Sequence, residues 1–154
     1  MWIRKATIED TPELIPLYAG SLRHMAMLQP DQFREAEQDA AFIQAGILGE
    51  DSDVLVADQD GRILGLAAVF AVTVAGKPYR VPQTYCDLDT LYVQEEYRSQ
   101  GIGTALLQAA RAWARKRGCA SLQLMTLGEN AAARRFYEGA GMGELRVRYI
   151  LRNP

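Results

Sequence analysis

The segment Arg98–Gly103, with the sequence RSQGIG, has the residue types and spacing that point most directly to chemistry. It joins a charged turn to an apolar helical pattern, and its two glycines leave bare backbone where that helix begins. The first turn of a helix has unpaired N–H groups and the positive end of the helix dipole, and a missing Cβ allows a diphosphate to approach closely. Arg98 can add a charge-assisted contact at the rim. The segment therefore predicts a diphosphate-binding turn.

Two common phosphate-binding patterns do not fit this segment. A Walker P-loop needs a Lys-Ser/Thr pair after its second glycine, and GIGTAL contains none. A dinucleotide fingerprint needs a third glycine, but Leu106 stands at that position, and the turn QEEYRSQ separates the glycines from the preceding strand. The remaining pattern is R/Q-x-x-G-x-G/A, which the segment matches.

Asp87 and Asp89 form a second chemically suggestive pair, since alternate residues of a strand share one face. Two neighbouring carboxylates raise the pKa of at least one of them, which suits a general base near neutral pH. Alternatively, the pair lines a solvated groove and attracts a cationic ligand. The sequence leaves both interpretations open.

Composition limits the remaining function classes. The 154 residues predict a single domain over residues 1–154, and a net charge of −2 gives no broad attraction to nucleic acid or anionic membrane. His24 is the only histidine, and Cys86 and Cys119 have no metal-site spacing, so we expect no metal centre and two reduced thiols. The first ten residues lack an apolar signal segment, from which we expect a cytoplasmic protein.

The elements that position these residues follow from periodicity and turn signals. Strand patterns cover residues 2–7, the two runs flanking Asp60-Gly61, residues 84–93, residues 119–127 and residues 144–151. Helical patterns cover residues 11–28, 39–48 and 101–117, and a fourth helix begins at the capping residue Asn130. Hairpin strands come first and strand-helix-strand units follow. This order predicts an α/β fold with a mixed sheet and helices on both faces.

Two stretches resemble the GNAT (Gcn5-related N-acetyltransferase) superfamily. LDTLYVQEEYRSQGIGTALL, residues 88–107, resembles its acetyl-CoA-binding motif, and NAAARRFYEGAGM, residues 130–142, is similar to its N-x-x-A-x-x-F-Y-E-x-x-G-F segment. Gly139 and Met142 depart from the usual residues of the second segment. The order of elements agrees throughout the chain. The resemblance implies a GNAT fold with a mixed, mostly antiparallel sheet of six to seven strands and a splay between its two central parallel strands.

The resemblance also implies acetyl-CoA as co-substrate, an amine acceptor and no metal. The pantetheine arm would pair with the strand near Leu91–Val93, and an amide near Leu91 would polarise the acetyl carbonyl. The diphosphate would lie on the amides of Arg98–Gly103. The residues expected to bind the cofactor are Leu91, Tyr92, Val93, Arg98, Ser99, Gln100, Gly101, Ile102, Gly103, Thr104, Asn130 and Tyr137.

Proton transfer is assigned to two residues by the same resemblance. Tyr137 is the candidate acid for the departing thiolate; the alternative is a tyrosine that only packs against the cofactor. Asp89 is the candidate base for the amine, or else a residue of the groove. Asn130 caps its helix and is also a candidate cofactor ligand.

The predicted function is therefore transfer of an acetyl group to a primary amine of a small molecule or peptide, directly in a ternary complex. The alternative from another class is a non-catalytic acyl-CoA-binding sensor on the same fold. The sequence selects neither the acceptor nor the acyl length. Since family members are often dimers, the resemblance also allows a homodimer to which residues 144–151 contribute.

Overall fold

A five-stranded mixed sheet with four helices forms the structure, a computed structural model that describes residues 1–154. The sheet order is β1-β2-β3-β4-β5, with antiparallel pairing throughout except for the parallel pair β4–β5. The strands are β1 (Trp2–Lys5), β2 (Ser52–Gln59), β3 (Arg62–Val74), β4 (Gln83–Val93) and β5 (Leu122–Gln123). The helices are α1 (Thr11–Leu28), α2 (Ala40–Leu48), α3 (Ile102–Lys116) and α4 (Ala131–Gly139).

The β2–β3 hairpin forms where the sequence predicts it. Asp60 and Gly61 both have positive φ, 55° and 83°, which is the backbone requirement of a type I′ turn. β3 lies at the centre of the sheet, where it pairs antiparallel with β2 on one side and with β4 on the other.

Helices cover both faces of the sheet, as predicted, because each face of the central strands is apolar. On one face, Leu14 of α1 and Ile43 of α2 pack against β2 and β3 in a buried cluster. On the other face, α3 buries Leu106 and Trp113, and Phe136 and Tyr137 of α4 pack against the same cluster. None of the four helices is both long enough and apolar enough to cross a membrane.

The strand count is the point at which the structure differs from the sequence prediction. Residues 119–127 were expected to form one strand, but only Leu122–Gln123 pair with β4. Residues 144–151 were expected to form a final strand, and that prediction is wrong for this single chain, where the segment has no regular structure. The sheet therefore has five strands instead of six or seven. A strand pattern records local side-chain alternation, whereas strand formation also needs a partner edge.

Candidate functional site

The turn before α3 presents a run of free backbone amides. Ala105 N–H donates to Gly101 C=O at 2.9 Å, which is the first backbone bond of the helix, and Arg98 N–H donates to Glu95 C=O at 3.2 Å. Between these two residues, no amide from Ser99 to Thr104 donates to another backbone group. These amides coincide with the positive end of the α3 dipole, an arrangement that would stabilise a bound anion. We call residues 98–104 the anion turn.

The conformation of this turn depends on residues in the left-handed region. Gly101 has φ 83° and Ser99 has φ 60°, so the chain reverses direction before the helix begins. Gly103 is different, because it lies in the helix and an added Cβ would be 3.6 Å from Phe136 Cζ, an ordinary contact. The protein therefore has room for a Cβ at Gly103, so packing inside the protein does not require a glycine there.

Arg98 is anchored to the end of β4. Its Nε donates to Val93 C=O at 3.0 Å, and its guanidinium lies 5.5 Å from the centre of the Tyr92 ring. Its Nη1 lies 4.0 Å from Glu95 Oε1, at the limit of an ion pair. The side chain thus ties the anion turn to the end of β4, and a charge-assisted contact of its guanidinium with a ligand stays a prediction.

The splay between β4 and β5 is present. The two strands pair only at Cys86–Leu122 and Asp87–Gln123, and beyond Asp87 the β4 edge facing β5 has no strand partner. Leu91 and Val93 lie on this open part of β4, next to the anion turn. An extended chain could therefore add to this edge, as the pantetheine prediction requires.

Asp87 and Asp89 lie where β4 and β5 diverge, and Asp89 forms a β-bulge there. Thr90 pairs with Ala68 and Leu88 pairs with Val69, which leaves Asp89 as an extra residue of β4 without a partner on β3. Asp87 is half-buried and Asp89 is exposed. Burial, together with the charge of Asp89, raises the pKa of Asp87 above its usual range. Asp87 is therefore a second candidate base beside Asp89, the residue that the resemblance favoured.

Helix α4 brings Asn130 and Tyr137 to the α3 side of the sheet. Asn130 caps the helix, since its Oδ1 accepts a hydrogen bond from Ala133 N–H at 3.1 Å. Tyr137 packs edge-on against Phe136 with 5.2 Å between ring centres, and burial raises its pKa to about 12. Its phenol is therefore protonated at neutral pH, the form that a proton donor needs.

Tyr18 of α1 is 4% exposed and belongs to the buried cluster on the α1 side of the sheet. Burial, with a smaller contribution from the negative charge of Asp89, raises its pKa, so its hydroxyl is protonated at neutral pH. Sequence reasoning assigned this residue no role in the site, because helical periodicity shows only that it faces the core.

The chain is similar in sequence to a family of acetyltransferases and to proteins named N-acetyltransferases. The sequence model of the Acetyltransferase (GNAT) family matches residues 20–142. An uncharacterized N-acetyltransferase of Bacillus subtilis, YhfO, is 28% identical over 94% of this chain and 91% of its own length. An aminoglycoside N(6')-acetyltransferase type 1 of Klebsiella aerogenes is 31% identical, over 79% of each chain.

A solved structure shares almost the whole architecture. The crystal structure of a mutant form of the BH1408 protein from Bacillus halodurans has a TM-score of 0.94 and 25% identity, covering 98% of this chain and 98% of that one. The family match begins within α1 and ends just after α4, so it includes the anion turn, the splay and the α4 segment. The chain is a member of the acetyltransferase (GNAT) family.

Proposed function

We propose that this protein is an acetyl-CoA-dependent N-acetyltransferase that acetylates a primary amine directly in a ternary complex. The observation that carries the proposal is the run of free amides from Ser99 to Thr104 beside the open edge of β4. The anion turn lies next to the unpaired edge of β4. Together they fit a ligand that has a diphosphate at one end and an amide-containing arm at the other. Coenzyme A has this chemistry.

The residues that would hold acetyl-CoA come from β4, α3 and α4. Amides of the anion turn, with Ile102 and Gly103 in the first turn of α3, would take the diphosphate, and the backbone of Leu91–Val93 would pair with the pantetheine arm. Gln100 and Thr104 are exposed at the same turn and are further candidates for polar contacts. Bound in this way, acetyl-CoA would supply an activated acetyl group.

Asp87 and Tyr137 would each move a proton. An ammonium ion must lose a proton before its nitrogen can attack the acetyl carbon, and the half-buried Asp87, with its raised pKa, is the proposed base, directly or through water. As the amide forms, the nitrogen releases its second proton to solvent; as the carbon–sulfur bond breaks, the thiolate gains a proton, and Tyr137 is the proposed donor. Asp89, exposed in the bulge, would attract the cationic amine and stays an alternative base.

The direct test is thiol release from acetyl-CoA in the presence of primary amines, combined with calorimetric binding of coenzyme A. The amine panel would contain an aminoglycoside, following the Klebsiella relative, an amino acid, a diamine and a peptide with a free N-terminus. We expect binding without an amine and thiol release with at least one acceptor class. Tight binding with no release for any amine would favour the non-catalytic sensor.

Gly103→Val tests the location of the cofactor. A Cβ at this position meets only ordinary contacts, and thermal unfolding checks that the variant is folded, while the branched group would obstruct access to the α3 amides. We expect coenzyme A affinity to fall at least about tenfold, a loss of about 1.4 kcal/mol. Gly139→Val, at an exposed helical glycine with nothing near its Cβ position, is the matched control and should bind normally. Unchanged affinity of Gly103→Val would place the diphosphate elsewhere.

A further inference from the structure

A cavity of about 490 Å³ lies between α1, the start of β3 and the residues that lead from β4 to the anion turn. The residues around it that carry this argument are Pro12, Glu13, Arg62, Tyr92, Glu95 and Glu96. Neither Asp87 nor Asp89 nor Tyr137 lines it, so it is separate from the place of the proposed proton transfers. Its volume is sufficient for a small molecule.

The wall that α1 gives to this cavity has little side-chain bulk. Pro12, Pro16 and Gly20 recur at every fourth residue, so they share one side of the helix, and all three line the cavity. An added Cβ at Gly20 would clash with Tyr92 Oη, so the glycine makes room for the tyrosine. Pro16 has no N–H, so the Pro12 C=O lacks its usual helical donor. The wall therefore offers space and a backbone acceptor that the helix itself does not use.

Charged side chains around the cavity lack counter-charges within the protein. Neither Arg62 nor Glu96 forms an ion pair in the chain. The Arg62 guanidinium lies instead 5.4 Å from the centre of the Tyr97 ring. Glu13 is held at the cavity because its Oε2 accepts a hydrogen bond from Ile63 N–H at 3.2 Å. The cavity thus brings together positive and negative groups that the fold leaves unpaired.

The two signs of charge come from different elements, and this selects a class of ligand. α1 supplies Glu13, the turn after β4 supplies Glu95 and Glu96, and Arg62 is the first residue of β3. A ligand that carries charge of one sign only would face like charge on at least one wall, which opposes binding. A small molecule with both an ammonium group and a carboxylate, as in a free amino acid, complements both signs.

We propose that this cavity binds a free amino acid, at a site separate from those of acetyl-CoA and the acceptor amine. Arg62 binds the carboxylate, and Glu13 and Glu96 bind the ammonium group. The side chain of Tyr92 lines the cavity, whereas its backbone belongs to the part of β4 that is expected to pair with the pantetheine arm. The amino acid and coenzyme A can therefore be bound at the same time.

Calorimetric titration of the full chain with the standard amino acids, without acetyl-CoA, tests the ligand class. At least one amino acid should bind, and saturating coenzyme A should not displace it. The N-acetyl form of that amino acid lacks the ammonium group and its methyl ester lacks the carboxylate, so each should bind at least about tenfold more weakly. Binding of no amino acid, or equal binding of either blocked form, would overturn the proposal.

Variants then locate the bound amino acid. Arg62→Gln and Glu96→Gln should each weaken its binding at least about tenfold while coenzyme A affinity and Tm stay normal. Arg111→Gln, at an exposed position of α3, is the matched control and should bind it normally. Asp87→Asn, at the proposed acceptor site, should also bind it normally. Loss of binding in Asp87→Asn but not in Arg62→Gln would place the amino acid at the acceptor site and overturn the proposal. Thiol release, measured separately, decides the proposed transferase function independently of this result.

Discussion

Asp87 and Asp89 lie two residues apart on one strand but in different surroundings. Asp87 is half-buried beside β5, whereas Asp89 projects from the bulge into solvent and accepts a hydrogen bond from Thr90 Oγ1 at 3.0 Å. Burial disfavours the charged form of Asp87, and the negative charge of Asp89 disfavours it further. The pair therefore separates into a carboxyl suited to accept a proton and one suited to attract a cation.

The pH dependence of turnover should show which of the two carboxyls accepts the proton. A base must be ionised, so kcat/KM is expected to rise with pH through the raised pKa of Asp87 and to fall as the carboxyl becomes protonated below it. Asp89→Asn removes the neighbouring negative charge, so the pKa of Asp87 should fall and the acidic limb should move to lower pH. Asp87→Asn should abolish the limb and reduce the rate. If the acidic limb of the kcat/KM profile is unchanged in both variants, the base is another group.

Tyr137→Phe separates the roles of a proton donor and a packing residue. The phenyl ring keeps the edge-on contact with Phe136, so coenzyme A affinity and thermal stability should be unchanged. Loss of a positioned proton donor is expected to reduce kcat about 100-fold. The matched control is Tyr79→Phe, in the β3–β4 connection, where the tyrosine is 82% exposed and turnover should be normal. Full activity of Tyr137→Phe would restrict this residue to packing.

At the scale of the elements, locally encoded features were predictable and non-local ones were not. The anion turn and α3 were anticipated because glycines, helical periodicity and a basic last turn all lie within about twenty residues of one another. The bulge at Asp89 was not, since it depends on how β3 aligns with β4. The same limitation applies to the short β5 and to residues 144–151, whose alternation indicates a strand but identifies no partner.

Asn130 offers a test at the start of α4, where capping and ligand binding were both predicted. Asn130→Ala removes the acceptor for Ala133 N–H and should destabilise the protein by about 1 kcal/mol, lowering Tm by about 2–4 °C. Asn130→Ser keeps a capping oxygen but loses the amide group. We expect it to restore Tm, measured by calorimetry. If serine also restores coenzyme A affinity, the residue acts as a cap alone; if affinity stays low, the amide contacts the cofactor.

At the scale of the whole molecule, one buried carboxylate joins elements that are far apart in sequence. Asp53 of β2 is 8% exposed, and its Oδ2 accepts hydrogen bonds from Trp113 Nε1 of α3 at 2.6 Å and from Lys5 Nζ of β1 at 2.7 Å. Arg117, at the end of α3, lies 3.9 Å away and stacks 4.5 Å from the Trp113 ring centre. This cluster fixes the end of α3 that is opposite to the anion turn.

Asp53→Ala should therefore reduce stability without altering the site. The change leaves a buried indole N–H without an acceptor and removes the counter-charge of Lys5 and Arg117, for which we expect a loss of about 2–4 kcal/mol and a Tm lower by about 5–10 °C. Asp51→Ala removes the neighbouring exposed partner of Arg117, 81% exposed at 3.5 Å, and should cost less than about 0.5 kcal/mol. Below the melting transition, both variants should bind coenzyme A with wild-type affinity, because the amides of the anion turn are set by Gly101 and Ser99 at the other end of α3. A large loss of affinity in Asp53→Ala, with Asp51→Ala unaffected, would show instead that the seating of α3 on the sheet controls the geometry of the turn.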